Sequence, residues 1–493
     1  MQILDDLRGR GVIPSGITAD SRQLHDGDVF VAIPGIKTDG RDYIGEAVAR
    51  GAAAVLFEAD GQRAVAESRV PTVAVNQLSR LSGELAHLVY GRPSEKLWMV
   101  GITGTNGKTS VSQWIAQALS LLGRKCGIVG TLGNGFPGEL RESPNTTPDA
   151  ICVHRTLAGF LAAGADACAM EVSSIGLAEG RTNAVSFDVA VFTNLTRDHL
   201  DYHGSMQAYA AAKQKLFAMP GLVAAVINLD DSFGLTLGAG LAARGVRQIG
   251  YTLGAATAMA GKAAEVIAAE NLVVTGSGIS FTARTPQGEA QVAVKLLGRF
   301  NAANLLAVLG ALLASGVALK PAAAVLERLT PPPGRMQAVS GGQGEPLLVI
   351  DYAHTPDALE QALSTLREVA VARGGRLLCL FGCGGERDPG KRPLMGEIVA
   401  RLADMNFVTS DNPRGENPLK IIADILRGMI EPGSVEPDRA AAIRAAVMAA
   451  APDDVVLIAG KGHEPTQEIA GRRLPFSDLE QAHAALAAWK AAA

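Results

Sequence analysis

From residue 96 onward, short apolar runs alternate with helical patterns, and this alternation constrains the fold more than any other feature. The runs are KLWMVGI, CGIVG, DACAMEV, FDVAVFTNL and LVAAVINLD. Short, continuously apolar strands separated by helices are typical of a parallel sheet covered by helices on both faces. We therefore expect the middle of the chain to be an α/β domain built on a parallel sheet.

The length of the chain, 493 residues, indicates several domains, because a single core stops growing at about 250–300 residues. Short β-like runs (DVFVAIPG, AAAVLF, PTVAVN) and one helical pattern precede the linker-like GRPS. Three consecutive prolines in LTPPPGRM interrupt the pattern again, and a second α/β series follows: LLVIDY, RLLCLFG, NFVTSD and DVVLIAG. We predict three α/β domains: a small one at 1–92, a P-loop ATPase-like one at 93–332 and a Rossmann-like one at 333–493.

Composition narrows the function classes. The net charge is −4 and 19% of residues are charged, without the basic excess of nucleic-acid binding proteins, so we expect no nucleic-acid partner. The N-terminal MQILDDLRGRGVIPSG lacks an export signal, which favours the cytoplasm. FNAANLLAVLGALLASGVAL, residues 300–319, contains Asn, Gly and Ser, and we expect a buried helix and no membrane span. The five cysteines contain no CxxC pair, so we expect reduced thiols and no metal at Cys379 and Cys383.

GITGTNGKTS, residues 101–110, lies between a predicted strand and a helical pattern from Thr109 to Leu122. It lacks the first glycine of the Walker pattern, because Ile102 stands at that position. A glycine-rich turn before a helix nevertheless presents backbone N–H groups to an anion. Lys108 would reach the β- and γ-phosphates, and the Thr109 hydroxyl would bind Mg²⁺. The segment predicts a nucleotide loop, which a kinase, a motor or a switch GTPase could also contain.

Two further candidates follow predicted strands. Glu171 precedes Ser173 in AMEVSSIGL, where a carboxylate could bind Mg²⁺ or cap a helix. His199 lies in NLTRDHLDYHGS between Asp198 and Asp201. The neighbouring carboxylates and the position after a strand favour the interpretation of His199 as a ligand over a structural role.

A larger set of motifs resembles the Mur ligases, the ATP-dependent amide-forming enzymes of peptidoglycan precursor synthesis. The motifs occur in family order along nearly the whole chain: GTNGKT, EVSS, NLTRDHLDYHG, AAKQKLF, GRFNAANLLA, PGRMQ and DYAHTPDAL. NTTPD, GCGGERDPGKRPLM, TSDNPRGENP and GKGHE are similar to the members that add the third peptide residue. The resemblance implies a monomeric cytoplasmic ligase that uses ATP, Mg²⁺ and small-molecule substrates: a UDP-N-acetylmuramoyl-dipeptide and an amino acid.

The resemblance also implies a nucleotide site and a metal site. The residues implied for ATP are Gly104, Thr105, Asn106, Gly107, Lys108, Thr109, Ser110, Asn301, Asn304, Arg335, Asp351 and His354. Those implied for Mg²⁺ are Thr109, Glu171, His199 and Lys213, and the last three act in catalysis with Lys108. Lys213 would be carbamylated, which gives it an anionic oxygen for the metal. Without the resemblance, Lys213 would be interpreted as a solvated helix lysine.

The substrate residues implied by the resemblance fall into three groups. The uridine-diphosphate group is Ala19, Ser21, Ile36, Lys37 and Thr38, and the muramoyl-peptide group is Asn145, Thr146, Thr147, Ser173, Glu179 and Arg181. The amino-acid group is Arg387, Asp411, Asn412, Pro413, Arg414, Gly460 and Glu464. Two residues depart from the family pattern: Ile175 stands where many relatives have His, and Glu179 where Gln is typical.

The DNPR segment that ends at Arg414 resembles the signature of the members that add meso-diaminopimelate. Diaminopimelate is lysine with a second carboxylate, and a guanidinium pairs with a carboxylate in a bidentate manner. Arg414 would therefore bind the second carboxylate, and Glu464 would meet the distal ammonium.

Two alternatives remain open. Folylpolyglutamate synthetase has related loops and chemistry, but the expected nucleotide-sugar domain at 1–92 argues against it. A catalytically silent nucleotide-binding regulator is the other alternative, and the intact Lys108, Glu171, His199 and Lys213 argue against that interpretation. A phosphate-release assay discriminates between the ligase and the silent regulator.

Overall fold

The computed structural model describes residues 2–35, 38–59, 68–259, 261, 263–275, 278–340, 342, 344–431 and 433–492. The described residues of the N-terminal part form four strands and three α-helices. The strands are β1 (Gly16–Thr18), β2 (Asp28–Ala32), β3 (Ala54–Glu58) and β4 (Thr72–Val75). The helices are α1 (Gln2–Gly9), α2 (Ile44–Ala49) and α3 (Leu78–Val89).

The N-terminal sheet is parallel and has the order β1-β2-β3-β4. Strand β2 is buried on both faces. Val29 and Val31 pack in one apolar cluster with residues of α1 and α3, whereas Phe30 and Ala32 pack in another cluster with Ala47 of α2. Because successive side chains of a strand point to opposite faces, helices cover both sides of this small sheet. The apolar runs that predicted β2, β3 and β4 are confirmed as strands.

In the central part, the residues that the structure describes form eleven strands and eight α-helices. The strands are β5 (Trp98–Thr103), β6 (Cys126–Gly130), β7 (Gly133–Phe136), β8 (Glu139–Arg141), β9 (Ala167–Glu171), β10 (Val189–Phe192), β11 (Ala224–Asn228), β12 (Arg247–Thr252), β13 (Glu265–Thr275), β14 (Gly278–Thr285) and β15 (Gly288–Val294). The helices are α4 (Lys108–Leu121), α5 (Ala150–Ala162), α6 (Ser174–Ala178), α7 (Leu200–His203), α8 (Met206–Phe217), α9 (Ser232–Leu241), α10 (Arg299–Ala314) and α11 (Leu319–Leu326).

The chain forms two compact units, which are described separately. The first unit comprises Met1–Thr103, Ile115–Val191 and Ala212–Ala225, and the second comprises Gly104–Trp114, Phe192–Ala211 and Val226–Ala493. This division does not follow the predicted domain boundaries at residues 92 and 332, which stay a prediction.

The central strands are parallel where the sequence predicted parallel pairing, but antiparallel strands extend them. In the first unit, β9 pairs in parallel with β5 and β6, and β7 and β8 continue from β6 in antiparallel fashion. In the second unit, β13 is parallel to β12, and β14 and β15 follow in antiparallel fashion. The prediction of a parallel sheet is therefore right for the buried apolar runs and incomplete at the edges.

Eight strands and five α-helices are found among the described residues of the C-terminal part. The strands are β16 (Gln337–Ala338), β17 (Leu347–Asp351), β18 (Leu377–Phe381), β19 (Met405–Val408), β20 (Ser434–Val435), β21 (Val455–Ala459), β22 (Thr466–Ile469) and β23 (Arg472–Pro475). The helices are α12 (Pro356–Arg373), α13 (Lys391–Leu402), α14 (Pro418–Leu426), α15 (Arg439–Met448) and α16 (Asp478–Ala492).

The C-terminal sheet has the order β16-β17-β21-β18-β19-β20 and is parallel except for β16. Val349 and Leu457 face a cluster with α12, α13 and α14, whereas Leu348 and Val456 face a cluster with α15 and α16. Helices on both faces confirm the predicted Rossmann-like architecture. Cys383 is buried in the first of these clusters, with its Sγ atom 3.6 Å from Met395 Sδ.

Helix α10 replaces the single long helix expected over residues 300–319. It is almost wholly buried, but it ends at Ala314, and Gly316 has a positive φ of 84° before α11 begins at Leu319. A positive φ ends an α-helix because it turns the backbone out of the right-handed region. Within the described residues, none of the helices is long and apolar enough to cross a membrane.

Candidate active site

In the glycine-rich loop before α4, two glycine positions have no space for a side chain. Gly104 and Gly107 have φ values of 152° and 86°, which residues with a Cβ atom rarely adopt. A Cβ atom at Gly104 would lie 1.8 Å from Thr193 Oγ1, and one at Gly107 would lie 2.5 Å from Asn304 Oδ1. Both glycines therefore serve a close approach of the backbone to neighbouring side chains, although the first Walker glycine is missing.

The segment after β10 holds this loop. The Thr105 N–H donates to the Asn194 carbonyl at 2.8 Å, and the Asn106 N–H donates to Asn194 Oδ1 at 2.9 Å. Thr193 Oγ1 donates to the Asn106 carbonyl at 2.6 Å, and Thr105 Oγ1 donates to the Thr196 carbonyl at 3.1 Å. The sequence interpretation did not identify Thr193, Asn194 or Thr196. Their position directly after a buried strand was the available signal.

Lys108 and Thr109 begin α4 and carry the polar groups expected to meet phosphate. The Lys108 ammonium donates to the carbonyls of Gly104 and Thr105 at 2.9 and 2.8 Å, so it lies over the loop. Thr109 is buried, and its Oγ1 accepts a hydrogen bond of 2.9 Å from Arg335 Nη2. The structure thus brings a second cation, from the segment after the three prolines, to the start of this helix.

A cavity of about 270 Å³ opens beside the loop, and all its lining residues belong to the second unit. Seven residues expected to bind the nucleotide line it: Asn106, Gly107, Ser110, Asn301, Asn304, Arg335 and Asp351. Aromatic side chains not identified from the sequence also line it: Trp114, Tyr251, Phe300 and Tyr352. Apolar walls with a few convergent polar groups are typical of a small-molecule site.

Arg335 and Asp351 place opposite charges in this cavity. The Arg335 Nε atom is buried and has no hydrogen-bond partner among the described residues. Asp351 Oδ2 accepts the Met336 N–H at 2.7 Å, and burial raises the pKa of the Asp351 carboxyl to about 6 although Arg335 opposes the change. An unpaired buried guanidinium nitrogen favours an anionic or hydrogen-bonding ligand.

Asp198 links two of the predicted histidines. Its Oδ2 atom lies 3.4 Å from His199 Nε2 and 3.9 Å from His354 Nε2. Burial raises the Asp198 pKa, but His199, His354 and Lys391 outweigh it and bring the pKa to about 2. Burial lowers the pKa of His354 to about 4, and its Nδ1 atom donates to the Tyr352 carbonyl at 2.8 Å. His199 and His354 therefore both lie beside the buried carboxylate of Asp198.

The residues predicted to bind the amino acid follow the carboxyl ends of β19 and β21, except Arg387, which follows β18. Asn412 Nδ2 donates to Glu464 Oε2 at 2.7 Å. The fully buried Lys461 ammonium donates to the same oxygen at 2.9 Å and to Asn412 Oδ1 at 3.0 Å. Lys461 and the two hydrogen bonds outweigh burial and lower the pKa of Glu464. Lys461 was not identified from the sequence, although it lies within GKGHE.

The other members of the amino-acid group lie in the segments that follow β18, β19 and β21. Arg414 has a positive φ of 54°, and its Nη1 donates to the Gly385 carbonyl at 2.6 Å. Arg387 is exposed, and Gly460 directly follows β21. Asp411 is buried, and burial raises the pKa of its carboxyl. Pro413 lies between Asn412 and Arg414 in the same segment.

In the first unit, the muramoyl-peptide group clusters around the end of β9. The Glu171 side chain is fully buried and accepts hydrogen bonds from the Thr131 N–H at 2.9 Å and Thr131 Oγ1 at 3.0 Å. Thr131 Oγ1 also lies 3.0 Å from Thr146 Oγ1. Thr147 Oγ1 donates to the Glu171 carbonyl at 2.9 Å and accepts the Ser173 N–H at the same distance. Ser173, not Glu171, caps the following helix α6.

Glu179 is one of the two departures from the family pattern, and a neighbouring arginine balances its charge. Arg181 Nη2 lies 2.6 Å from Glu179 Oε2, and Arg181 Nη1 donates to the Thr147 carbonyl at 2.9 Å. Opposite charges at this distance cancel much of the field that either would exert on a ligand. The carboxylate of Glu179 therefore does not face an anionic substrate alone.

The remaining predicted residues of the first unit lie in three places. Lys213, on α8, is 1% exposed, so its interpretation as a solvated helix lysine is wrong. Ser21 is buried in a 3₁₀ turn just after the half-buried Ala19, and Thr38 is exposed. Ile36 and Lys37 lie outside the described residues. Asn145 is exposed and accepts a hydrogen bond from Ser143 Oγ at its carbonyl.

Comparison with known protein families covers most of the chain. Residues 14–90 match the Mur ligase family, catalytic domain; residues 102–312 match the Mur ligase middle domain; and residues 334–462 match the Mur ligase, glutamate ligase domain. The three matches follow one another in the order of the three predicted domains.

Individual relatives are similar over nearly the full length of both chains. A UDP-N-acetylmuramoyl-L-alanyl-D-glutamate--2,6-diaminopimelate ligase from Chromobacterium violaceum is 54% identical, over 96% of this chain and 94% of the relative. An enzyme of the same name from Ectopseudomonas mendocina is 52% identical, over 98% and 97%. A solved structure of a protein of this name superposes with a TM-score of 0.67 at 36% identity, covering 97% of this chain and 95% of that one. From the matched domains and these relatives, the chain belongs to the Mur ligase family.

Proposed function

We propose that this chain is an ATP-dependent ligase that adds meso-2,6-diaminopimelate to UDP-N-acetylmuramoyl-L-alanyl-D-glutamate in peptidoglycan precursor synthesis. The observation that carries the proposal is the cavity where the glycine-rich loop meets Arg335 and Asp351. The names of relatives above 50% identity support the choice of substrates. We further propose that the enzyme acts in the cytoplasm as a monomer.

The reaction takes place in two steps. An oxygen of the substrate carboxylate attacks the γ-phosphorus of ATP, ADP leaves, and an acyl phosphate remains. The amine of diaminopimelate then attacks the acyl carbon, phosphate leaves with the bonding electrons, and the nitrogen loses a proton. The first step brings two anions together, so cations that neutralise the phosphate oxygens lower its barrier.

The chain supplies such cations at the cavity. Lys108 lies over the loop within reach of its carbonyls, and it would exchange these contacts for phosphate oxygens. Arg335, with its buried unpaired Nε, would contact a phosphate or the ribose. Asn301 and Asn304, which hydrogen-bond each other at 3.1 Å on α10, would present amide groups to the adenine.

Three of the four proposed metal residues, Thr109, Glu171 and a carbamylated Lys213, would offer the oxygen atoms that Mg²⁺ prefers, whereas His199 offers a ring nitrogen. Thr109 offers a buried hydroxyl and Glu171 a buried carboxylate. The Lys213 ammonium cannot bind a cation, but a carbamate on the same nitrogen could, and the burial of Lys213 supports that modification. Mg²⁺ bound to such oxygen atoms would neutralise phosphate oxygens.

A phosphate-release assay with the nucleotide-sugar dipeptide tests the proposal. Wild-type enzyme should release phosphate with diaminopimelate and use lysine poorly, because lysine would leave the Arg414 guanidinium without its carboxylate. Arg414→Ala should raise the KM for diaminopimelate about tenfold or more, since a lost charge-assisted contact costs about 1.5–3 kcal/mol. The apparent KM values for ATP and the nucleotide sugar should change little.

Arg414→Lys is the matched control. It keeps the positive charge but removes the bidentate geometry, so an intermediate KM for diaminopimelate is expected. Equal use of lysine and diaminopimelate by the wild type, or full discrimination by Arg414→Ala, would contradict the assignment of Arg414. Absence of phosphate release with every amino acid would contradict the ligase function itself.

A further inference from the structure

Tyr352 directly follows β17 and lies beside two groups of functional residues. It lines the cavity next to the glycine-rich loop. Its ring also packs against the rings of His354, with 4.6 Å between centroids, and His463, at 5.5 Å. The residue thus lies between the nucleotide cavity and the GKGHE segment, both within the second unit.

On the amino-acid side, the Tyr352 hydroxyl donates to Glu464 Oε1 at 3.3 Å. The other oxygen of this carboxylate, Oε2, accepts from Asn412 Nδ2 and Lys461 Nζ. Three donors from three segments therefore define the plane of the Glu464 carboxylate. Since a side chain held by several hydrogen bonds keeps a narrow range of orientations, Tyr352 helps to determine where Glu464 points.

On the nucleotide side, the Tyr352 ring supports Arg335. The Arg335 guanidinium carbon lies 4.5 Å from the ring centroid. The same guanidinium donates to Thr109 Oγ1 through Nη2. Stacking on an aromatic face orients a guanidinium without using its N–H groups, so the ring leaves those groups available to a ligand in the cavity.

The backbone of Tyr352 is itself held on both sides. Its N–H donates to the Gly334 carbonyl at 2.9 Å, and its carbonyl accepts from His354 Nδ1 at 2.8 Å. Burial, and then the Glu464 carboxylate, raise the pKa of the phenol. The hydroxyl therefore remains protonated at neutral pH and acts as a donor toward the carboxylate.

We propose that Tyr352 is a positioning residue shared by two sites: its hydroxyl orients Glu464 for the amino acid, and its ring orients Arg335 for the nucleotide. The proposal rests on the proposed function for the identity of both ligands. Because the two roles belong to different parts of one side chain, two substitutions separate them.

Tyr352→Phe removes the hydroxyl and keeps the ring. We expect the KM for diaminopimelate to rise about three- to tenfold, the range for loss of one hydrogen bond, while the KM for ATP and the affinity for ADP by calorimetry stay at wild-type values. Tyr90→Phe is the matched control, because the Tyr90 hydroxyl bonds only to backbone atoms of Ile17 in the described contacts. That variant should leave the KM for diaminopimelate unchanged.

Tyr352→Leu removes the aromatic face as well. We expect it to reproduce the effect on diaminopimelate and, in addition, to weaken ADP binding about three- to tenfold, because Arg335 loses the face on which it stacks. Circular dichroism and the melting temperature establish that each variant is folded. If leucine prevents folding, Tyr352→Met, with a flexible side chain of similar length, takes its place.

Two results would overturn the proposal. One is a wild-type KM for diaminopimelate in Tyr352→Phe, and the other is equal ADP affinity in the Phe variant and the folded Leu or Met variant. A different result would contradict the proposed ligase function itself: the wild-type enzyme would then release no phosphate with diaminopimelate. The ADP titrations need no turnover, so the role toward Arg335 is measured in either case.

Discussion

Lys213 illustrates at the residue scale how burial changes the interpretation of a side chain. A lysine on a helix is normally solvated, yet Lys213 is 1% exposed. Lys215, two positions later on the same helix, is exposed. The carbamate proposed above is assigned to the buried Lys213, and the exposed Lys215 serves as its comparison.

We expect Lys213→Ala to be nearly inactive in phosphate release and to recover partly in acetate or formate. These anions can replace the carbamate oxygen in the space left by the side chain. Lys215→Ala is the matched control and should keep wild-type activity with and without the added anions. Full activity of Lys213→Ala in plain buffer would show that the residue has no role in the reaction.

The two departures from the family pattern have different outcomes. Glu179 is paired with Arg181, which also holds the Thr147 carbonyl, so its charge is accommodated within its own segment. The sequence alone does not reveal the pairing of Glu179 with Arg181, because it depends on the turn that follows α6. Nothing in the structure explains Ile175.

At the element scale, buried strands were predictable and edge strands were not. The continuously apolar runs of β6, β9 and β10 are wholly buried. Strand β15 alternates exposed and buried residues at its C-terminal end, and β8 is mostly exposed. Their apolar signal is weak because one face or both meet solvent, so these antiparallel extensions had no clear pattern in the sequence.

Helices α3 and α5 meet through a histidine pair whose rings lie 5.1 Å apart. His154, on α5, is 0% exposed, and its Nε2 donates to the Asn183 carbonyl at 3.0 Å. Its Nδ1 and that of His87 are buried and have no hydrogen-bond partner in the described part of the chain. Burial lowers the pKa of His154 to about 4, from an ordinary value of 6.5.

This lowered pKa predicts acid sensitivity of the first unit. Between pH 6.5 and about 4 the unfolded chain binds more protons at this histidine than the folded chain does, so stability falls as pH falls. The loss from pH 7 to pH 5 should be about 2 kcal/mol. Measured by scanning calorimetry, the melting temperature of His154→Gln should fall less than that of the wild type between pH 7 and pH 5.

His483→Gln is the control for that experiment, because His483 is exposed on α16. Its melting temperature should follow that of the wild type at both pH values. An identical pH dependence of wild type and His154→Gln would show that protonation of His154 does not contribute.

At the scale of the whole molecule, the C-terminal part has cores of its own. The two apolar clusters on the faces of its sheet consist of residues from Met336 onward. Of the earlier segments that the structure describes, only Leu297 and Phe300 pack against them. The boundary predicted at 332 can therefore be tested directly. We expect a fragment of residues 333–493 to unfold cooperatively and to give a dispersed amide spectrum.

The same fragment should not bind ADP, because Asn106, Gly107, Asn301 and Asn304 of the cavity are missing from it. The full-length chain is the control for binding. A fragment with helical content but no cooperative transition would place the true boundary elsewhere, since a collapsed chain without fixed packing behaves in that way.

The sequence by itself determined the local features of this protein: the apolar strands, the helices that cover them and the glycine-rich loop before α4. These depend on residues close together in the chain, and the family motifs added the candidate residues. Only the tertiary structure decided that Lys213 is buried, that Arg335 meets Thr109 and that Tyr352 contacts Glu464. The two pairs lie 226 and 112 positions apart. No local pattern encodes them, because packing brings such residues together only once the chain has folded.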